Sequence, residues 1–267
     1  MALGPISRIH PMGWLAAALA ALLLIPAGEA AADEMSEEEA YHADYIFGVP
    51  ADPSEDWVLA NGGRLYDKWY TVLDADKPEG THPGWPSSNS RTGDTTFRCK
   101  SCHGWDYKGA AGKYGSGSYK TGIKGVTGVI GKDPAEIAAI IGNDTHGFTD
   151  EMIPADAKLR IATFLSRGLY ETADYIEDGG KAKGDAERGR NIFQNHCAAC
   201  HGHDGAALNW GSAEEPEYGG TLANENPWEV LHKIVNGHPG TEMPAMRPFP
   251  MEDASAVLAY SQSLKVK

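Results

Sequence analysis

The chain reads as an all-α protein: two tandem, loop-rich helical domains. Three observations predict this. Apolar residues recur at helical spacing in each half, helix start and stop signals bracket those stripes, and the pattern of the first half returns in the second. Among 267 residues 32 are Gly, which favours long irregular connections between short helices. The length suits two domains of about 100 residues each once an N-terminal export segment is set aside.

That export segment comes first. Arg8 and His10 precede an apolar run from Trp14 to Ile25, then Pro26 and the small residues Ala30, Ala31 and Ala32. Basic, apolar and small residues in that order are the layout of a secretory signal, and the run falls short of the roughly 20 residues of a spanning helix. We expect residues 1–32 to be removed, no stable membrane span, and a periplasmic or otherwise exported product. The net charge of −14 argues against binding nucleic acid by phosphate neutralisation. It favours partners with basic docking surfaces.

In residues 33–180, expected to form the first domain, Ser54 is an N-cap candidate for a helix whose stripe is Gly62, Leu65, Tyr66 and Trp69. An insertion, roughly 73–96, follows. It is rich in Pro, Gly, Ser and Asp, includes His82-Pro83-Gly84-Trp85-Pro86, and reads as a surface loop. Asp133-Pro134-Ala135-Glu136 then starts a short helix that stops at Gly142. Ile161, Phe164, Leu165 and Leu169 form the stripe of a closing helix. A Gly-containing linker puts the boundary near residue 180.

Residues 181–267 repeat the plan. Asp185 caps a helix with Gly189, Ile192, Phe193 and His196 at helical spacing. Asn226-Pro227-Trp228-Glu229 starts the short helix, which stops at Gly237. Val257, Tyr260, Ser261 and Leu264 mark the closing helix. Here no insertion separates the first helix from the motif that follows it.

That motif carries the chemistry. The four cysteines all lie in Cys99-Lys100-Ser101-Cys102-His103 and Cys197-Ala198-Ala199-Cys200-His201. C-x-x-C-H is the signature of covalent haem attachment: two thioethers to the porphyrin vinyl groups, with the adjacent His as an iron ligand. Disulfides would leave both histidines unexplained. A zinc site wants two C-x-x-C pairs about 15–20 residues apart, and a thioredoxin-like motif wants a βαβ setting. We therefore expect two haem c groups, bound through Cys99, Cys102, Cys197 and Cys200 and ligated by His103 and His201.

For the second axial position each half offers a Met beside a Pro: Met152 in Met152-Ile153-Pro154, and Met243 in Met243-Pro244. A thioether favours ferrous iron and raises the potential relative to a second His. Met is more often core filling, but its recurrence in both halves nominates Met152 and Met243. Met246, Met251, His146 and His238 are nearby rivals. Two-histidine ligation stays an alternative, above all in the first domain, while His196 and His203 are read as non-ligands.

Taken together, these residues resemble the class I c-type cytochrome family, present twice. The features that carry the resemblance are Gly62 to Tyr66, Gly189 to Phe193, both C-x-x-C-H motifs, and Met243-Pro244 with its following helix. The resemblance implies three to five helices wrapped round each haem, with first and last helices crossing at Gly62 and Gly189. The insertion and Met152-Ile153-Pro154, where Met-Pro is usual, depart from the family pattern.

The expected function is that of a dihaem electron carrier passing single electrons between redox partner proteins in a respiratory or oxidative chain, rather than an enzyme. The alternative is a dihaem redox enzyme with one labile axial ligand. Thiosulfate dehydrogenases resemble the layout but use a further Cys as a ligand, and all four here are committed. Dihaem peroxidases would need His146 or His238 to dissociate. A third option is a docking subunit of a larger respiratory complex, with the insertion near Trp85 as contact surface.

Overall fold

The computed structural model describes residues 46–266, so the expected signal segment lies outside the described residues. The described residues are helical, with only two isolated β-bridges, Gly109 to Lys124 and Ile176 to Ala182. No helix among them is long and apolar enough to cross a membrane.

In the N-terminal half, α1 (Glu55–Val72) starts where Ser54 Oγ accepts from the Trp57 N–H at 3.2 Å. It is interrupted at Lys68, whose φ of −155° and ψ of 77° are not helical. A short α2 (Cys99–His103) follows, then α3 (Pro134–Ile141), capped by Asp133 Oδ1 accepting from the Ala135 N–H at 2.8 Å. The closing helix α4 (Ala155–Thr163) widens to a π-turn over Phe164–Gly168.

The C-terminal half repeats the order. α5 (Ala186–Ile192) is capped by Asp185 and runs through a π-turn (Phe193–Cys197) straight into α6 (Ala198–His201). An additional α7 (Gly219–Glu225) precedes α8 (Pro227–Asn236), where Asn226 caps Glu229. The closing α9 spans Met251–Ser261.

The first and last helices of each half cross, and the crossing is backbone to side chain or backbone to backbone. A Cβ on Gly62 would overlap the Arg160 carbonyl and Phe164 Cβ, and one on Gly189 would overlap the Ala256 carbonyl. Only glycine permits either approach. Two apolar clusters result. One gathers Leu65, Tyr66, Trp69, Ile161, Phe164 and Leu165 with their neighbours. The other gathers Phe193, Leu231, Val235, Val257, Leu258 and Leu264. The expected stripes are therefore buried or half-buried, with one correction: His196 is exposed. The π-turn adds a residue to that part of the helix and rotates His196 off the core stripe.

The insertion is mostly exposed and irregular, as a surface loop should be. It is nevertheless anchored, because Trp85 and Thr96 are buried and His82 packs edge-on to Phe97 with ring centres 5.0 Å apart.

Candidate haem-binding sites

Each C-x-x-C-H segment is a single helical turn ending at a glycine, so its two thiols and its imidazole are presented together. In the first, α1 holds the turn in place. Tyr66 Oη donates to the Gly104 carbonyl at 2.7 Å, and Trp69 Nε1 donates to the Phe97 carbonyl at 3.1 Å. Arg98 Nε donates to the Asp67 carbonyl at 2.8 Å. On the far side, the bridge between Gly109 and Lys124 brings a carbonyl to the imidazole: His103 Nδ1 donates to Lys124 O at 2.7 Å. That bond fixes the tautomer and leaves Nε2 for a metal.

Burial pushes the Cys99 thiol up to about 12 and the Cys102 thiol up to about 11; Cys197 is pushed up to about 11, again by burial first and then by Cys200. Disulfide-exchange cysteines are lowered instead, so these thiols fit an apolar, permanently bonded role. Burial likewise lowers His103 and His201, keeping both imidazoles in the neutral form that ligation needs.

In the C-terminal half, Cys197, Cys200 and His201 form one wall of a cavity of about 580 Å³, and Met243 belongs to its lining. That volume lies in the usual range for small-molecule and cofactor sites. The lining is largely apolar. It includes Leu208, Trp210 and Phe249, large apolar side chains that are 41%, 44% and 54% exposed. Such a grouping at a cavity mouth is costly in water and suits a flat apolar group laid across it. The donor set and the cavity thus fit a covalent haem with an imidazole on one wall and a thioether from the 237–250 loop. His238 lines the same cavity, and its Nδ1 is 3.0 Å from the Pro239 carbonyl.

In the N-terminal half Met152 packs, partly buried, against the apolar cluster. The His146 ring faces the His103 ring, with centres 6.2 Å apart. Trp85 Nε1 and Ser101 Oγ are buried there without a partner in the polypeptide, as donors left for a bound group would be.

Between the halves lies a polar seam that the sequence did not announce. Asp67 is buried against Arg98 and against Lys233, whose Nζ is 2.8 Å away. Burial raises the Asp67 carboxyl, but Lys233 and then Arg98 outweigh it and hold it well below the usual carboxylate range. His232 is fully buried. Its Nε2 donates to the Gly63 carbonyl and its Nδ1 accepts from Tyr107 Oη, both at 2.9 Å. Tyr66, Trp105, Tyr107 and Phe164 surround its ring, Trp105 at 5.0 Å. Arg64 reaches across the seam from α1: Nε donates to Asn236 O at 2.8 Å and Nη2 to Met243 O at 2.9 Å. Polar residues so far apart in sequence carry no local signal of their pairing.

Comparison with known proteins bears on the C-terminal half most directly. Residues 184–260 match the family model described as cytochrome c oxidase, cbb3-type, subunit III. The chain is also similar to a cytochrome c-553-like protein of Synechocystis sp., 33% identical over 90 residues, which is 34% of this chain and 79% of the relative. No solved structure matches.

Proposed function

Since this chain belongs to the c-type cytochromes, whose domains bind covalent haem c and transfer electrons, we propose that it is an exported dihaem carrier passing single electrons between partner proteins. The observation that carries this reading is the cavity bounded by Cys197, Cys200, His201 and Met243, taken with a second C-x-x-C-H turn in a half of the same helical order. On this reading residues 33–180 and 181–267 are two cytochrome c domains.

A bound haem supplies a one-electron iron couple at each site. The chain's own residues do the rest. Cys99 with Cys102, and Cys197 with Cys200, tether the two groups, while His103 and His201 provide the first axial nitrogens. Met243 offers a soft donor to the second haem, which favours ferrous iron, and Arg64 steadies the loop that carries it. For the first haem the sequence nominates Met152, with His146 as its rival, whose ring centre is 6.2 Å from that of His103. Trp105, two residues past His103, packs on His232 of α8, and Ile234 of the same helix lines the second cavity. Helix α8 thus touches the surroundings of both sites. The acidic balance supports basic docking surfaces on the partners.

Mass spectrometry of protein made in a host competent for haem attachment tests the reading. Two covalent haems, two reductive waves and no carbon monoxide binding are expected. One haem would remove the dihaem claim, and carbon monoxide binding to the as-isolated reduced protein would favour an enzyme.

A further inference from the structure

We propose that His146 is the second axial ligand of the first haem, which is then held by two imidazoles while the second haem has one imidazole and one thioether. This rests on Cys99 to His103 being a haem-attachment motif, and it says how that site is completed.

Spacing is the first support. The His103 and His146 ring centres are 6.2 Å apart with planes 35° apart. Two imidazoles bound head-on to one metal through bonds of roughly 2.0 Å, each with roughly 1.1 Å from nitrogen to ring centre, stand about 6.2 Å apart. The available nitrogens also match. His103 Nδ1 donates to Lys124 O, and His146 Nδ1 lies 3.3 Å from Asn143 Oδ1. On this proposal Nε2 of each ring is the nitrogen that would bind the metal.

Register gives an independent support. Met243 lies eight residues before α9 begins at Met251. His146 lies nine residues before α4 begins at Ala155, whereas Met152 lies only three before it. Counted back from the closing helix, His146 is thus within one residue of the register of Met243, and Met152 is not. Met152 has an occupation that needs no iron, as packing on the apolar cluster.

The insertion secures this ligand. His82 Nδ1 accepts from the Gly84 N–H at 3.0 Å, so its Nε2 carries the proton and donates to the His146 carbonyl at 2.8 Å. The turn is closed from the other side by the His146 N–H, which donates to Asn143 O at 3.1 Å. His82 is thus a positioning residue, and the insertion is a strap across the ligand loop. Two imidazoles give the lower potential, so the first haem is the better donor of the pair.

Low-temperature electron paramagnetic resonance on the oxidised holoprotein, with two haems confirmed by mass, decides the matter. One bis-imidazole low-spin signal and one imidazole–thioether signal are expected, with the sulfur-to-iron charge-transfer band at the intensity of one haem. Two thioether signals, or that band at twofold intensity, would overturn the proposal. His146→Ala should convert one haem to a high-spin, carbon monoxide-binding form, and Met152→Ala should leave both signals unchanged. The reverse pattern would also overturn it. Should His146→Ala not fold, the wild-type spectrum still decides. A mass showing fewer than two haems would instead sink the reading of the motifs beneath it.

Discussion

On the dihaem reading proposed above, Met243 and Cys197 serve the same haem in different ways, and single substitutions separate them. Met243→Ala removes a soft ligand while leaving both thioethers, so the haem should stay attached and one potential should fall in a redox titration. Cys197→Ser removes a tether, and the mass should drop by one covalent haem or show that haem partly lost. His232 makes a different prediction, about pH. Burial pushes it down to about 4, with Asp67 and the Gly63 carbonyl opposing and Lys233 and Arg247 assisting. Unfolded His titrates near 6.5. Between those values the unfolded chain binds the additional proton, so stability is complete above about pH 6.5 and is lost as pH falls toward 4, by roughly 3 kcal/mol. Melting temperature should decline across that window, and His232→Gln should flatten the decline. A decline of equal slope in the variant would assign it to other groups.

At the scale of helices, the crossings are the sensitive points. A Cβ at Gly189 meets the Ala256 backbone, which cannot rotate away as a side chain can. Gly189→Ala should cost about 2–3 kcal/mol, a fall in melting temperature of roughly 5–10 °C for a chain of this size. Most of this level was legible in the sequence. Ser54, Asp133, Asp185 and Asn226 all cap the helices assigned to them, because a cap acts within three residues of itself. The C-x-x-C-H turns were legible for the same reason. What was not legible depended on irregular backbone. The π-turn over Phe193–Cys197 shifted His196 off its stripe, and the position of His146 depends on a loop whose path no periodicity describes.

At the scale of the molecule, the seam between the halves was silent in the sequence, since Asp67 and Lys233 are 166 positions apart and nothing local marks either. Its energetic consequence is direct. Asp67→Asn leaves Arg98 and Lys233 without their buried counter-charge and should cost about 3–5 kcal/mol, read as a lower denaturation midpoint. The net charge of −14 should make electron transfer to a basic partner slow as ionic strength rises. Finally, Arg64 ties the Met243 loop of one half to the first helix of the other. A gene cut near residue 180 would therefore release a C-terminal fragment that looks self-sufficient by sequence yet has lost its strut. Such a fragment should be recovered well only when co-produced with its other piece, so that recombining these halves with those of related proteins calls for transplanting Arg64 and its receptor carbonyls as one cassette.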